Sequence, residues 1–207
     1  MDHISVPARY DLPDYSFFDS STNSRYFLWQ PDNVYIVLGR ANSIEKSVLL
    51  DKAVADNVKI YQRPSGGESV VLSPKMVVFS ALFKRNQSEK PGAFFSNINQ
   101  NLIEHLSELG IENLNSKGIS DLSIGDKKIM GSSMYLKGND LFYHAVLNVS
   151  EEVSLISKYL KHPKKEPDYR KGRPHYEFVT SLHAEGYYID VDVIMDSVRK
   201  ALESLQK

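Results

Sequence analysis

The sequence has no cysteine among its 207 residues. Disulfides, thiolate metal sites and a cysteine nucleophile are therefore excluded, and a reducing compartment is expected. Neither sign of charge is in surplus: 25 Lys and Arg face 26 Asp and Glu. A general nucleic-acid binder would show a basic excess, so no nucleic-acid partner is expected. No apolar run approaches the roughly 18 residues of a membrane span. The opening MDHISVPARYDLPDY lacks the apolar core of a secretory signal. The expectation is a cytoplasmic protein without membrane contact. The six histidines show no HExxH or HxxxH spacing, which argues against zinc, and no GxSxG elbow is present. Repeats and low-complexity tracts are absent.

What is present suits one domain with a sizeable core. Residues 1–25 are rich in Pro, Asp, Ser and Tyr without periodicity and predict an irregular arm. VYIVLG (34–39) is a buried-strand pattern ending at glycine. Ser43 is a plausible N-cap for a helix through IEKSVLLDKAVADN. VKIYQR (58–63), ESVVL (68–72) and MVVFSALFK (76–84) read as strands, the last two separated by a turn at Ser73-Pro74-Lys75. NINQNLIEHLSELG (97–110) predicts a helix with Ile98, Leu102, Leu106 and Leu109 on one face and Gly110 at its C-terminal cap. Residues 118–149 read as strands and hairpins, with turns at Gly125-Asp126 and Gly138-Asn139-Asp140. Ser150 is expected to cap EEVSLISKYLK. A polar loop, HPKKEPDYRKGRPH (162–175), follows, with three prolines and a basic surplus; its length suggests function. A final helix starts near Asp190 or Asp192, with Val191, Ile194, Val198, Leu202 and Leu205 facing inward. Strands in runs with interspersed helices predict a mixed α+β fold.

Three stretches could carry chemistry. In QRPSGGESVV (62–71), Gly66 and Gly67 either make a simple turn or let backbone N–H groups approach an anion, with Arg63 as a nearby cation. The stretch is neither a Walker A loop nor a dinucleotide fingerprint. In GDKKIMGSS (125–133), strand alternation sends one of Lys127 and Lys128 inward and one outward. An inward lysine beside Gly131, Ser132 and Ser133 would be a fixed cation; the alternative is two solvated lysines at a hairpin. His144, inside the apolar run LFYHAVLNV, is a satisfied core residue or a catalyst. Asp121 either orients a cation or bonds a turn. Tyr61 and Phe79 could flank a pocket.

Taken together, these stretches resemble the lipoate–protein ligase A family, in order, from about residue 26 to 185. Gly39-Arg40-Ala41-Asn42 is similar to its Gly-Arg-x-x-Asn segment, and RPSGGE to its Arg-Arg-x-Ser-Gly-Gly-Gly loop. SDLSIGDKKIMGSS resembles its Asn-Asp-Leu followed by Lys-x-x-Gly-x-Ala, LFYHAV its His-His-Gly strand, and GRPHYEFVTSL its Arg…Val-Thr-Asn-Leu segment. The chain differs at Gln62, Glu68, Leu72-Ser73-Pro74, Ser120, Ser133, Tyr143 and Ala145. It shows no counterpart of the family's helix before the first strand.

The resemblance implies a mixed, largely antiparallel sheet flanked by helices, as in biotin/lipoate protein ligases. It implies one catalytic domain over 1–207 without a C-terminal accessory domain. The implied activity is ATP- and Mg2+-dependent conversion of lipoate, or octanoate, to an acyl-adenylate. The acyl group then passes to a lysine of an apo lipoyl-domain protein or the glycine-cleavage H protein, with a separate accessory subunit as a possible partner. Lys128 is the implied catalytic lysine. Arg63, Ser65, Gly66, Gly67, Asp121, Gly131, Ser133 and His144 are implied binding residues, Asp121 also as a Mg2+ ligand. Val37, Val70, Val71 and Phe79 are expected to line the lipoyl slot. Two other readings stay open: an ATP-independent lipoyl or octanoyl transferase, and a non-catalytic relative that binds an acyl ligand or a partner.

Overall fold

The computed structural model describes residues 6–19, 25–84 and 91–206. Its elements begin with β1 (Ala8–Arg9), α1 (Tyr15–Asp19), β2 (Tyr26–Trp29), β3 (Tyr35–Leu38), α2 (Ile44–Ser47) and α3 (Leu50–Ala55). There follow β4 (Lys59–Gln62), β5 (Val70–Leu72), β6 (Met76–Lys84), α4 (Pro91–Ser107), β7 (Leu114–Lys117) and β8 (Asp121–Ile124). Last come β9 (Lys127–Lys137), β10 (Asp140–Asn148), α5 (Val153–Tyr159), α6 (His175–Phe178) and α7 (Val191–Ser204).

The strands form a small sheet, β1-β4-β3-β5, and a large one, β2-β6-β10-β9-β8-β7. The large sheet is antiparallel throughout; among the named strands β1–β4 and β3–β4 pair in parallel, and an isolated parallel bridge joins Lys128 to Val179. The apolar runs at 35–38 and 76–79 lie in inner strands, because a strand covered on both faces is predominantly apolar. Three apolar layers result. One face of the large sheet packs on α4 and α7 through Val77, Phe79, Leu122 and Tyr143 against Ile98, Leu102, Ile194 and Val198. Its other face meets the small sheet, with Trp29, Val78 and Phe142 against Val37, Tyr61 and Leu72. The outer face of the small sheet, with Ile36, Leu38 and Val71, is covered by Ile44, Ala53, Tyr159 and Leu160. Each large aliphatic side chain buried here contributes about 1.5–3 kcal/mol relative to exposure.

Several local expectations are corrected. The arm over 1–25 is not irregular where it is described: β1 pairs with β4, a helical turn precedes β2, and Tyr10, Leu12, Phe17 and Phe18 are buried between the sheets. Residues 1–5 and 20–24 lie outside the described residues. The helix after Ser43 is two short helices, because Val48 bridges to Leu160 and the Leu49 N–H donates to the Tyr159 carbonyl. The Ser43 side chain makes no cap bond. Helix α4 starts earlier than its Leu/Ile period suggests, because Phe95 adds a buried turn behind Pro91 and Gly92. Gly110 has the left-handed φ of +81° expected at the end of that segment. Glu152, not Ser150, occupies the N-cap of α5. Among the described residues, no helix is long and apolar enough to cross a membrane.

Candidate functional site

The stretch 63–69 links β4 to β5 and is organised by a buried guanidinium. Arg63 is 5% exposed. Its Nε donates to Ser65 Oγ at 3.0 Å, one terminal nitrogen to the Val37 carbonyl at 3.3 Å, and the other to the Gly66 and Glu68 carbonyls at 2.8 and 2.9 Å. Burial pushes its pKa down to about 10, which leaves it charged at neutral pH. Four of its five N–H donors are spent on β3 and the loop, so Arg63 shapes the loop instead of offering a free fork to a ligand, which corrects the expectation of a ligand-facing cation.

The glycines of this loop differ in kind. Gly67 has φ +88°, and an added Cβ would lie 3.1 Å from the Arg63 guanidinium. A Cβ on Gly66 would meet nothing within 4 Å, so open space lies above it. At Gly39 a Cβ would fall far inside contact of the Gly67 carbonyl oxygen. Asn42 Nδ2 donates to that oxygen at 3.1 Å, and Gln62 Nε2 donates to the Arg40 and Asn42 carbonyls at 3.3 and 3.1 Å. From the large sheet, Ser133 Oγ donates to the Gly66 carbonyl at 3.0 Å. Glu68 is not among the residues with positive φ, so a side chain in place of a third glycine brings no backbone strain.

A second cluster sits on the same sheet face. Lys128 Nζ lies 2.8 Å from Asp121 Oδ1, with the two side chains 28% and 8% exposed. Residues 128 and 131 are three apart and would point to opposite faces of a regular strand. A register shift at Leu122/Ser123 resets the alternation: Gly131 opposes Asp121 while Lys128 opposes Ser123. Lys128 thus folds over Gly131, where an added Cβ would lie 2.7 Å from Nζ. Ile129 and Met130 both go into the core. Lys127 is the outward lysine, paired with Glu185 at 3.2 Å. The Lys128 backbone is tied down by the Thr180 N–H, which donates to its carbonyl at 2.9 Å. The other oxygen of Asp121 accepts from the Tyr169 hydroxyl at 2.8 Å. That contact and burial raise the Tyr169 pKa, burial being the larger cause.

His144 pairs in register with Ser133 on one side and Ser80 on the other. Its Nε2 is 2.7 Å from Ser65 Oγ, and Phe18 and Phe142 pack on its ring. Burial, and secondarily Arg63, hold its pKa well below the usual imidazole value, so the ring is neutral. Beside it, the buried Asp14 accepts from Tyr10 and Ser80 at 2.5 and 2.6 Å, and burial raises its pKa. Among the described residues no group of three or more His, Asp or Glu is arranged to hold a metal. Both Asp121 oxygens are engaged, Oδ1 with the Lys128 ammonium and Oδ2 with the Tyr169 hydroxyl.

Residues 14–203 match the lipoyl protein ligase A/B catalytic domain. The chain belongs to this family. A lipoate-protein ligase A of Psychrobacter cryohalolentis is 31% identical over 140 residues, covering 67% of this chain and 39% of that protein. A structure from the archaeal lipoylation system of Thermoplasma acidophilum, described as a bi-partite lipoate protein ligase and its E2 lipoyl domain, has a TM-score of 0.77 at 19% identity, over 92% of this chain and 76% of that one. A lipoate-protein ligase A bound with ATP has a TM-score of 0.75 at 17% identity, over 97% and 83%. The fold is therefore that of the lipoate–protein ligases. The chain spans less than half the length of the curated relatives it matches.

Within this family member, the expected residues form two joined groups. Arg63, Ser65, Gly66, Gly67, Ser133 and His144 form the loop group, and Lys128, Asp121 and Gly131 lie beside it, Gly131 being two residues along β9 from Ser133, roughly 7 Å. The expected apolar slot is not one surface. Val37 and Val70 oppose each other and face the layer between the sheets, but Val71 faces the outer helices and Phe79 the α4 side. Phe79 therefore flanks no pocket at this site. Sequence reading missed Gly39 as a contact of the loop, and missed Tyr169. The only signals were the Gly-Arg-x-x-Asn segment and the length of the 162–175 loop.

Proposed function

We propose that the chain is the catalytic domain of an ATP-dependent lipoate–protein ligase. The observation that carries this is the Lys128–Asp121 pair, fixed over Gly131 on the face that bears the open backbone at Gly66. In the first step the carboxylate of lipoate, or octanoate, attacks the α-phosphorus of ATP and pyrophosphate leaves. In the second, the acceptor lysine amine attacks the acyl carbonyl, AMP leaves, and the amine gives up a proton. Both steps gather negative charge around one phosphate, and a fixed ammonium with backbone donors stabilises that charge without reorganisation. Lys128 supplies the ammonium, Asp121 orients it, and Tyr169 holds Asp121. Gly66 leaves room for the mixed anhydride. The half-buried Val70 and Val146, at the edge of the layer between the sheets, offer an apolar entry for the acyl chain. A divalent ion would arrive with the phosphates of ATP.

The acceptor is a lysine of a lipoyl domain or of H protein, and a separate accessory chain completes the ligase. The bi-partite neighbour supports the accessory chain. Intact-mass analysis of an apo lipoyl domain, incubated with the protein, ATP, Mg2+ and lipoate, tests this reading. A parallel arm supplies preformed lipoyl-adenylate. A mass gain in the first arm is expected of a self-sufficient ligase, and a gain only in the second of a chain that needs its partner for activation. No gain in either arm, with and without such a partner, overturns the reading.

A further inference from the structure

The strap over 162–175 carries five Lys and Arg against two carboxylates, in a chain whose net charge is -1. It is not a loose loop. Glu166 accepts the Gly172 N–H at 2.7 Å and lies 3.0 Å from His162 Nε2. Arg170 is buried against Phe178 with its Nε on the Arg173 carbonyl at 2.9 Å, and Arg173 donates to the Tyr169 and Asp126 carbonyls. Tyr169 and Pro167 pack against the β7–β8 turn at Gly118. The two arginines are thus used internally. Lys164, Lys165 and Lys171 are exposed, Lys171 standing at φ +53°, and among the described residues none of the three forms an ion pair. On the adjoining surface, Lys117 and Lys127 are each paired with a carboxylate. Two large apolar side chains flank the strap: Ile119 in the β7–β8 turn, 71% exposed, and Tyr176 in α6, 67% exposed.

We propose that this face, with Lys164, Lys165 and Lys171 as a basic rim and Ile119 and Tyr176 as apolar anchors, docks the acceptor domain through carboxylates that surround its target lysine. Exposed aromatic anchors within a charged rim are the usual anatomy of a transient interface. The Tyr169–Asp121 contact puts the face directly beside Lys128, where an incoming amine has to arrive. A partner rich in carboxylates neutralises the rim and is steered to it before contact. The inference rests on the ligase reading for the identity of the partner, but the docking is measurable without catalysis.

The experiment measures binding of the full chain to an apo lipoyl domain that carries carboxylates beside its acceptor lysine. The same domain with those carboxylates changed to amides is the control. Association is expected to weaken at least roughly tenfold between about 0.05 M and about 0.5 M salt. Lys164→Glu/Lys165→Glu/Lys171→Glu is expected to weaken it by a similar factor and to lose most of the salt dependence. Tyr176→Ala should weaken binding without changing the salt dependence. The rate of lipoyl-adenylate formation by the triple variant, relative to wild type, should stay within about twofold, because none of the three lysines reaches the Lys128 pair. Equal binding by the wild type and the triple variant, or no preference for the carboxylate-bearing domain, overturns the docking face. A chain that forms no adenylate but binds in this strap-dependent way retains the docking face and loses the ligase reading.

Discussion

Substituting Gly39, which packs against the 63–69 loop, and Gly66, which faces open space from it, separates packing from ligand space. In Gly39→Ala, the new methyl falls inside contact of the Gly67 carbonyl oxygen, a backbone atom that cannot rotate away. The loop must give way by about 1 Å, and a shift of that size at a reacting centre costs on the order of 10²-fold in rate. The displaced segment is held by Arg63, Asn42 and Ser133, so the strain spreads into buried hydrogen bonds. Overpacking of this kind destabilises by about 1–3 kcal/mol, which for a chain of this size lowers Tm by about 2–12 °C. In Gly66→Ala, nothing lies within 4 Å of the added methyl and no positive φ is required. Stability should stay within about 0.5 kcal/mol of wild type. The methyl would nevertheless fill the space assigned to the acyl-adenylate, and adenylate formation should fall at least about tenfold. Thermal unfolding and a lipoyl-adenylate assay on both variants give the four values. A Gly66→Ala protein that unfolds like wild type and forms adenylate at the wild-type rate would refute the placement of substrate over that glycine. A Gly39→Ala protein with unchanged Tm would refute the packing argument.

Three further outcomes are expected. Lys128→Met should lower adenylate formation by about 10²–10³-fold, the range seen when one preorganised donor is lost, while the protein still folds; a pyrophosphate-release assay reads it, and a loss below tenfold would remove Lys128 from the chemistry. Tyr169→Phe removes one hydrogen bond to a carboxylate, worth about 1.5–3 kcal/mol at most. It should reduce kcat about tenfold with KM for ATP unchanged, whereas a rise in KM alone would assign Tyr169 to binding. Burial lowers the folded pKa of His144, so the unfolded chain takes up its proton first as pH falls. Relative to His144→Asn, the wild type should lose about 1.4 kcal/mol of stability per pH unit below about pH 6.5. Denaturant unfolding of both proteins at stepped pH reads this, and parallel curves would mean that His144 is accessible to protons in the fold. The comparison cancels Asp14, whose raised pKa acts with the opposite sign.

The amphipathic period of 191–204, the apolar runs at 35–38 and 76–79, and the glycine turns at 125 and 138 follow from local chemistry, and each reappears as a helix, an inner strand or a hairpin turn. The sequence also contains the family's segments in order, which is why the membership and the type of sheet were legible. Other features depend on what the chain meets in space. Ser43 heads a broken helix because Val48 finds a backbone partner more than a hundred residues away. Val71 and Phe79 read as pocket residues, yet sheet register turns each toward a different layer. Arg63 reads as a ligand cation, but its acceptors are carbonyls converging from the strand ends around it.

The sequence by itself determined which residue types were available: a lysine near a small-residue strand, two adjacent glycines after an arginine, and no thiol. Only the tertiary structure decided that Lys128 and Gly131 share a face. A strand's side chains alternate with period two, and residues three apart part company unless a bulge inserts one extra. That bulge is defined by pairing with β8, a relation between strands that no single stretch of sequence contains. Gly39 and Tyr169 enter the site for the same reason: one is placed by sheet closure against the loop, the other by the strap folding back onto Asp121.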